Sequence, residues 1–272
     1  MTNRPLTLMA VHAHPDDEAS MTGGILARYA AEGITTVLVT CTDGALGDSP
    51  LGFRPEDEDH DPNHVVAHRH EELLESCKIL KITHLEELGY SDSGMIGWPQ
   101  NDAPNAFWQL PVEEGAQRLV ELIEQYQPQV VVTYDENGFY GHPDHIQANR
   151  ITKRALELID SVDKFFYTAI PKSELAKFSE ALEEAGEVEA ADDLPTDFGT
   201  DDALIGAIVD VSAFIKTKRA ALQAHGSQTD SSFFLEMPEE RFEEAFGREA
   251  FVRVLDRTGT GGVDDDLFAR LR

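Results

Sequence analysis

The chain has 272 residues, 41% of them hydrophobic, and sets 51 acidic side chains against 22 basic ones, a formal charge of −29. That length and apolar content support a full hydrophobic core and exclude wholesale disorder. The acid excess argues against a nucleic-acid partner, which needs clustered Lys and Arg for its phosphates, and against an anionic membrane surface. Part of the excess serves solubility or a salty cytoplasm.

The first 170 residues alternate strand and helix. Residues 6–12 read as a buried strand, 22–32 as a helix ended by Gly33, and 35–40 as a second strand. The spacing of Leu73, Leu74, Cys77 and Leu80 predicts a helix over 65–81, and 83–88 is a short strand. A helix over 112–126 stops before Pro128; a strand at 129–134, a helix at 144–159 and a strand at 165–170 follow. Continuous apolar runs separated by amphipathic helices predict an α/β fold. It is Rossmann-like, three-layered, and mostly parallel in its sheet. Beyond Pro171 the texture changes. A charged helix is expected over 173–185, an acidic linker over 187–202, a strand over 203–211 and a helix over 212–225. A short helix at 238–246, a strand at 251–255 and a mobile tail at 259–266 complete the reading. The expected organisation is a catalytic core over 1–171, with a smaller α+β portion, 172–272, completing the same domain.

Two connections of about 20 residues, 42–64 and 89–111, follow strands and should overhang the same sheet edge; loops of that length often cover substrates. Cys41 and Cys77 read as buried packing residues rather than a disulfide. No stretch approaches the roughly 18 apolar residues of a membrane span, and the start lacks a signal-peptide pattern, so a cytoplasmic protein is expected.

Two motifs carry the chemistry. Ala13-His14-Pro15-Asp16-Asp17-Glu18 follows the first strand, and Tyr140-Gly141-His142-Pro143-Asp144-His145 follows the strand ending at Tyr134. One His-Pro-Asp tripeptide is ordinarily a turn with a capping Asp. Two of them, each closing a β-run at the sheet edge where ligands bind, point to a metal site. His14, Asp17 and His145 form a His-Asp-His set suited to one Zn²⁺, or to Fe²⁺, with a position left for water. Asp16 is the candidate general base. His142, protonated and off the metal, is a candidate oxyanion stabiliser or acid, with Tyr140 as a neutral donor beside it. Asp144 is expected to orient a histidine. The patch His60, His64, His68 and His70 lacks a paired strand end and reads as surface.

These residues resemble the LmbE-like or PIG-L family of zinc-dependent deacetylases. The likeness rests on 13–18 and 141–145, with Arg69-His70-Glu71-Glu72-Leu73, Gly89-Tyr90-Ser91-Asp92-Ser93-Gly94-Met95 and Thr133-Tyr134-Asp135-Glu136-Asn137-Gly138. It is similar in texture to the actinobacterial branch, which contains the mycothiol-biosynthesis deacetylase and the mycothiol S-conjugate amidase. The resemblance implies the same metal set, base and oxyanion residues. It also implies that Arg69, Asp92 and, more faintly, Gln228 hold the sugar or inositol. The implied activity is removal of acetyl from an N-acetylglucosamine-type conjugate, with cleavage of a larger amide as the alternative. The amidase branch carries a lysine where Met21 stands, which weighs against that alternative. A non-catalytic sugar-binding module is the third reading; no G-x-G-x-x-G follows the first strand. A small-molecule substrate is the expected partner, and a homo-oligomer is compatible with all of this.

Overall fold

The computed structural model describes residues 4–177, 199–228, 235–259 and 261–272. Most of the helix expected over 173–185 and most of the linker expected over 187–202 lie outside them.

A sheet of seven strands runs through the protein in the order β3-β2-β1-β4-β5-β7-β6. The strands are β1 (Thr7–His12), β2 (Thr35–Thr42), β3 (His84–Tyr90), β4 (Val130–Thr133), β5 (Lys164–Ala169), β6 (Ile205–Asp210) and β7 (Arg248–Asp256). The first five are parallel; β7 runs antiparallel to both β5 and β6. Every residue of β1 and β4 is buried, as the unbroken apolar runs require for central strands covered on both faces.

Alternate side chains feed two cores. Leu8, Ala10, Leu38, Val130 and Val132 pack on one face with residues of α1 (Asp17–Ala31), α2 (Pro62–Leu80) and α6 (Ile215–Ala224). Met9, Val11, Val37, Val39 and Val131 pack on the other with α3 (Val112–Tyr126) and α5 (Pro143–Leu158). A one-turn segment, α4 (Gly138–Gly141), precedes α5, and α7 (Glu239–Phe246) precedes β7. Each fully buried Val, Leu or Ile contributes about 1.5–3 kcal/mol, so a one-residue slip of β1 would forfeit both faces.

Two expectations are corrected. α1 starts at Asp17 rather than 22, because its first turn is polar and carries the motif instead of apolar spacing. The tail is fixed rather than mobile. Ile208 N donates to Asp264 O and Asp264 N to Gly206 O, while Leu267 and Phe268 are fully buried. Arg253 Nη2 holds the Asp264 carboxylate at 2.8 Å, which ties the segment to β7.

Candidate active site

Strand order reverses between β1 and β4, the strands that deliver the two motifs. In an open α/β sheet that reversal opens a crevice at the strands' carboxyl ends, where ligands sit. His14 leaves the end of β1. His142 is the N-cap of α5 and His145 lies in its first turn; Pro143 starts the helix with a φ already suited to it.

The two motifs meet. His14, His142 and His145 bring ring nitrogens within 4.8 Å of one another, and so does a second set of His14, Asp92, His142 and Asp144. Asp17 bridges two of these rings: Oδ2 lies 3.3 Å from His14 Nδ1 and Oδ1 3.5 Å from His145 Nε2. His14 Nε2 faces Asp144 Oδ2 at 3.3 Å and Asp92 Oδ1 at 3.7 Å. His60, His64, His68 and His70 enter no metal-capable group among the described residues.

The electrostatics suit a cation. Against the cost of burial, Asp92, Asp144 and Asp17 raise the pKa of His14 well above its usual value. Asp17, also buried, is held well below the carboxylate range by His145 and His14. Burial pushes His145 down to about 4, so it is a neutral ring, and its Nε2 has no hydrogen-bond partner among the described residues. Asp144 Oδ1 is likewise buried and unpartnered. Orphaned lone pairs among neutral imidazole and ionised carboxylate are the donor set that Zn²⁺ or Fe²⁺ accepts, so these residues fit a divalent metal.

His142 differs from its neighbours. The backbone N–H of Asp144 donates to His142 Nδ1 at 3.1 Å. A nitrogen that accepts carries no proton, so neutral His142 keeps its proton on Nε2. Burial, with the charge of His14 beside it, pushes its pKa down to about 2. The protonated form expected from the sequence is thus disfavoured in this arrangement.

Asp16 caps α1 with a φ of 125°, a region that side chains rarely adopt and that costs about 1–3 kcal/mol. Its carbonyl accepts from Ala19 and Ser20, and its carboxylate from Arg69 Nη2 at 2.8 Å. Burial raises its pKa to about 6 against the opposing pull of Arg69.

The long loops do close over this edge. Asp43 N donates to Tyr90 O, and Asp92 carboxylate oxygens accept from Leu46 N and Gly94 N. Buried Arg69 spends its guanidinium on Gly44 O, Pro15 O and Asp16. Gly44 and Gly47 sit against that guanidinium; a Cβ on Gly47 would lie 2.3 Å from Nη1. Gln228 ties Asp48 down, its Oε1 accepting from Asp48 N and its Nε2 donating to Asp48 O. Tyr140 is half exposed, its ring centroid 5.1 Å from that of His145, after the positive-φ residue Phe139.

Tyr134 was not singled out as a site residue from the sequence. Its hydroxyl donates to Asp17 Oδ2 and accepts from Ala13 N, each at 2.7 Å. Its ring stacks on His145, centroids 4.1 Å apart and planes within 12°. A tyrosine directly after the buried Val-Val-Val-Thr strand was the available signal. His12, before the first motif, and Glu18, its last residue, were given no role from the sequence, and both are fully buried.

A buried cluster of His and Asp at the switch point of a doubly wound sheet marks a hydrolytic enzyme rather than a nucleotide-binding module. The GlcNAc-PI de-N-acetylase (PIG-L) family model matches residues 9–156, and the chain belongs to that family. It is a deacetylase, a hydrolase of amide C–N bonds. A 1D-myo-inositol 2-acetamido-2-deoxy-alpha-D-glucopyranoside deacetylase of Acidothermus cellulolyticus is 41% identical over 97% of this chain and 94% of its own. Among solved structures, N,N'-diacetylchitobiose deacetylase of Pyrococcus horikoshii matches at TM-score 0.57 and 22% identity, over 91% of this chain and 83% of that one. GalB, the 4-carboxy-2-hydroxymuconate hydratase of Pseudomonas putida, matches at 0.60 and 15%, over 94% and 99%. One fold thus carries two reactions, and the chemistry lives in the site.

Proposed function

We propose that this protein is a divalent-metal-dependent deacetylase that releases acetate from an N-acetylglucosaminyl-inositol. Two observations support the metal part of the reading: Asp17 approaches both His14 and His145, and those two histidines lie with His142 in a metal-capable group drawn from two remote segments. The 41% identity to a deacetylase of that sugar over nearly the whole chain supports the substrate. Zn²⁺, with Fe²⁺ as the alternative, would be held by those three residues. Such an ion would supply Lewis acidity for a carbonyl oxygen and would acidify water.

The rest of the chemistry belongs to side chains. Asp16, ionised above about pH 6, takes the proton of the attacking water. The C–O bond forms as the acetamide carbonyl becomes an oxyanion. His142 Nε2–H donates to that oxyanion, and a single such donor contributes about 3–4 kcal/mol. Tyr140 stands as a second donor from the rim. Protonated Asp16 then returns the proton to the departing amine as the C–N bond breaks. Asp144 orients His14 and, through its backbone N–H, fixes the tautomer of His142. Asp92 is the proposed sugar contact; Arg69 and Gln228 shape the wall of the crevice through Gly44 and Asp48.

Met21, partly buried, packs against the core on the α3–α5 side of the sheet and offers no charge to a larger conjugate. No described helix is long and apolar enough to cross a membrane. The test is amine release from N-acetylglucosaminyl-inositol against a mycothiol S-conjugate. The first should be cleaved faster; equal or reversed rates would replace deacetylase by amidase.

A further inference from the structure

Behind the crevice lies a buried ion pair that the chemistry above does not use. Glu18 and His225 are both fully buried, 207 positions apart, and joined at 2.7 Å between Oε1 and Nε2. Ser76 from α2 donates to the same Oε1. The other oxygen, Oε2, accepts from the backbone N–H of Asp16 at 3.0 Å. That amide belongs to the residue with φ 125°, the strained N-cap of α1. A strained conformation persists only where its surroundings over-determine it. Arg69 secures the side chain of Asp16; Glu18 secures its backbone.

We infer that Glu18 and His225 are positioning residues for Asp16, through which the end of helix α6 sets the aim of the base. His225 directly follows α6, so the segment beyond residue 210 reaches the catalytic motif at Glu18. Ionised and fully buried, Glu18 needs a donor on each oxygen, and His225, Ser76 and Asp16 N–H supply them. Without His225 the carboxylate is free to rotate, and Asp16 loses the acceptor that holds its left-handed backbone. The inference rests on Asp16 acting as base, and its test includes a readout that needs no substrate.

Three variants are compared with wild type for kcat, KM, bound metal, far-UV circular dichroism and hydrogen exchange at the Asp16 amide. Glu18→Met removes the acceptor at similar volume, Glu18→Gln retains an amide oxygen, and His225→Phe releases Glu18. A displacement of about 1 Å at a catalytic group costs on the order of 100-fold, so Glu18→Met should lose about that in kcat with KM and metal content kept. Glu18→Gln should recover part of the loss, and His225→Phe should fall between the two. Asp16 amide protection should drop in the same order. A merely structural pair would lower the melting temperature and leave kcat per folded molecule unchanged, and that result overturns the inference. Should Glu18→Met not fold, His225→Phe decides by the same split. If wild type releases no amine, the substrate reading fails, and exchange alone judges the positioning. Equal Asp16 exchange in wild type and His225→Phe then overturns it.

Discussion

Tyr134→Phe removes one oxygen and leaves the ring that stacks on His145. That oxygen donates to Asp17 and receives the N–H of Ala13, both at 2.7 Å in a fully buried place. A hydrogen bond to a charged group contributes about 1.5–3 kcal/mol, and an orphaned buried N–H costs about 1–3 kcal/mol. Partial relaxation leaves about 3 kcal/mol of lost stability, which for a chain of this size lowers the melting temperature by roughly 6–10 °C. Asp17 also loses the donor that holds Oδ2 toward His14, and loss of such an outer partner costs about 10–100-fold in metal affinity. Two measurements check this: the melting temperature of metal-free protein, and zinc affinity by competition with a chromophoric chelator. A variant that melts with wild type and binds zinc equally well would show that the hydroxyl does not hold Asp17, and the account of the ligand geometry would fall.

Asp16→Asn should keep its metal and lose about 10²–10⁴ in kcat, measured by amine release; a variant at wild-type rate removes Asp16 as base. Gly24→Ala places a Cβ 2.5 Å from Val211 Cγ2 and 2.8 Å from Glu249 Oε1, so it should cost about 1–3 kcal/mol in chemical denaturation. Lys218→Met leaves Glu249 buried without its cation at 2.6 Å, and should destabilise by about 3 kcal/mol in the same assay. The Glu18–His225 pair gives a pH signature. Glu18 is lowered from 4.5, so its contribution is present above that value and lost as pH falls through the lowered pKa. His225 is raised from 6.5, so its contribution is present below that value and lost as pH rises through the raised one. The melting gap between metal-free wild type and His225→Phe should be widest between 4.5 and 6.5 and shrink on both sides; a gap constant with pH contradicts the pairing.

The parallel core was readable because β1, β2 and β4 are short apolar runs, and because each motif sits where a run ends. Helix α3 matched its expected limits, 112–126, since Leu119, Val120 and Ile123 mark one buried face and Gln127 closes it with a φ of 53°. What escaped was long-range. Nothing local shows that β7 inserts between β5 and β6, or that the glycine- and aspartate-rich tail binds Arg253 and seats Phe268. Within the site, ligand-type residues announced themselves as His and Asp in excess. The partners that hold them did not. Tyr134 and Ala13 are 121 positions apart, Glu18 and His225 are 207, and each is an ordinary residue of its own element. Arg69, expected at the substrate, also has contacts that no local pattern announced, with Gly44, Pro15 and Asp16, because the loop glycines let the backbone close onto its guanidinium.

The most direct measurement is zinc bound per chain, read together with free amine released from N-acetylglucosaminyl-inositol, in wild type and in His145→Ala. Wild type should hold one ion and release the amine, and the variant should do neither. A His145→Ala protein that folds, keeps its zinc and still deacetylates would contradict a site built jointly from the two motifs.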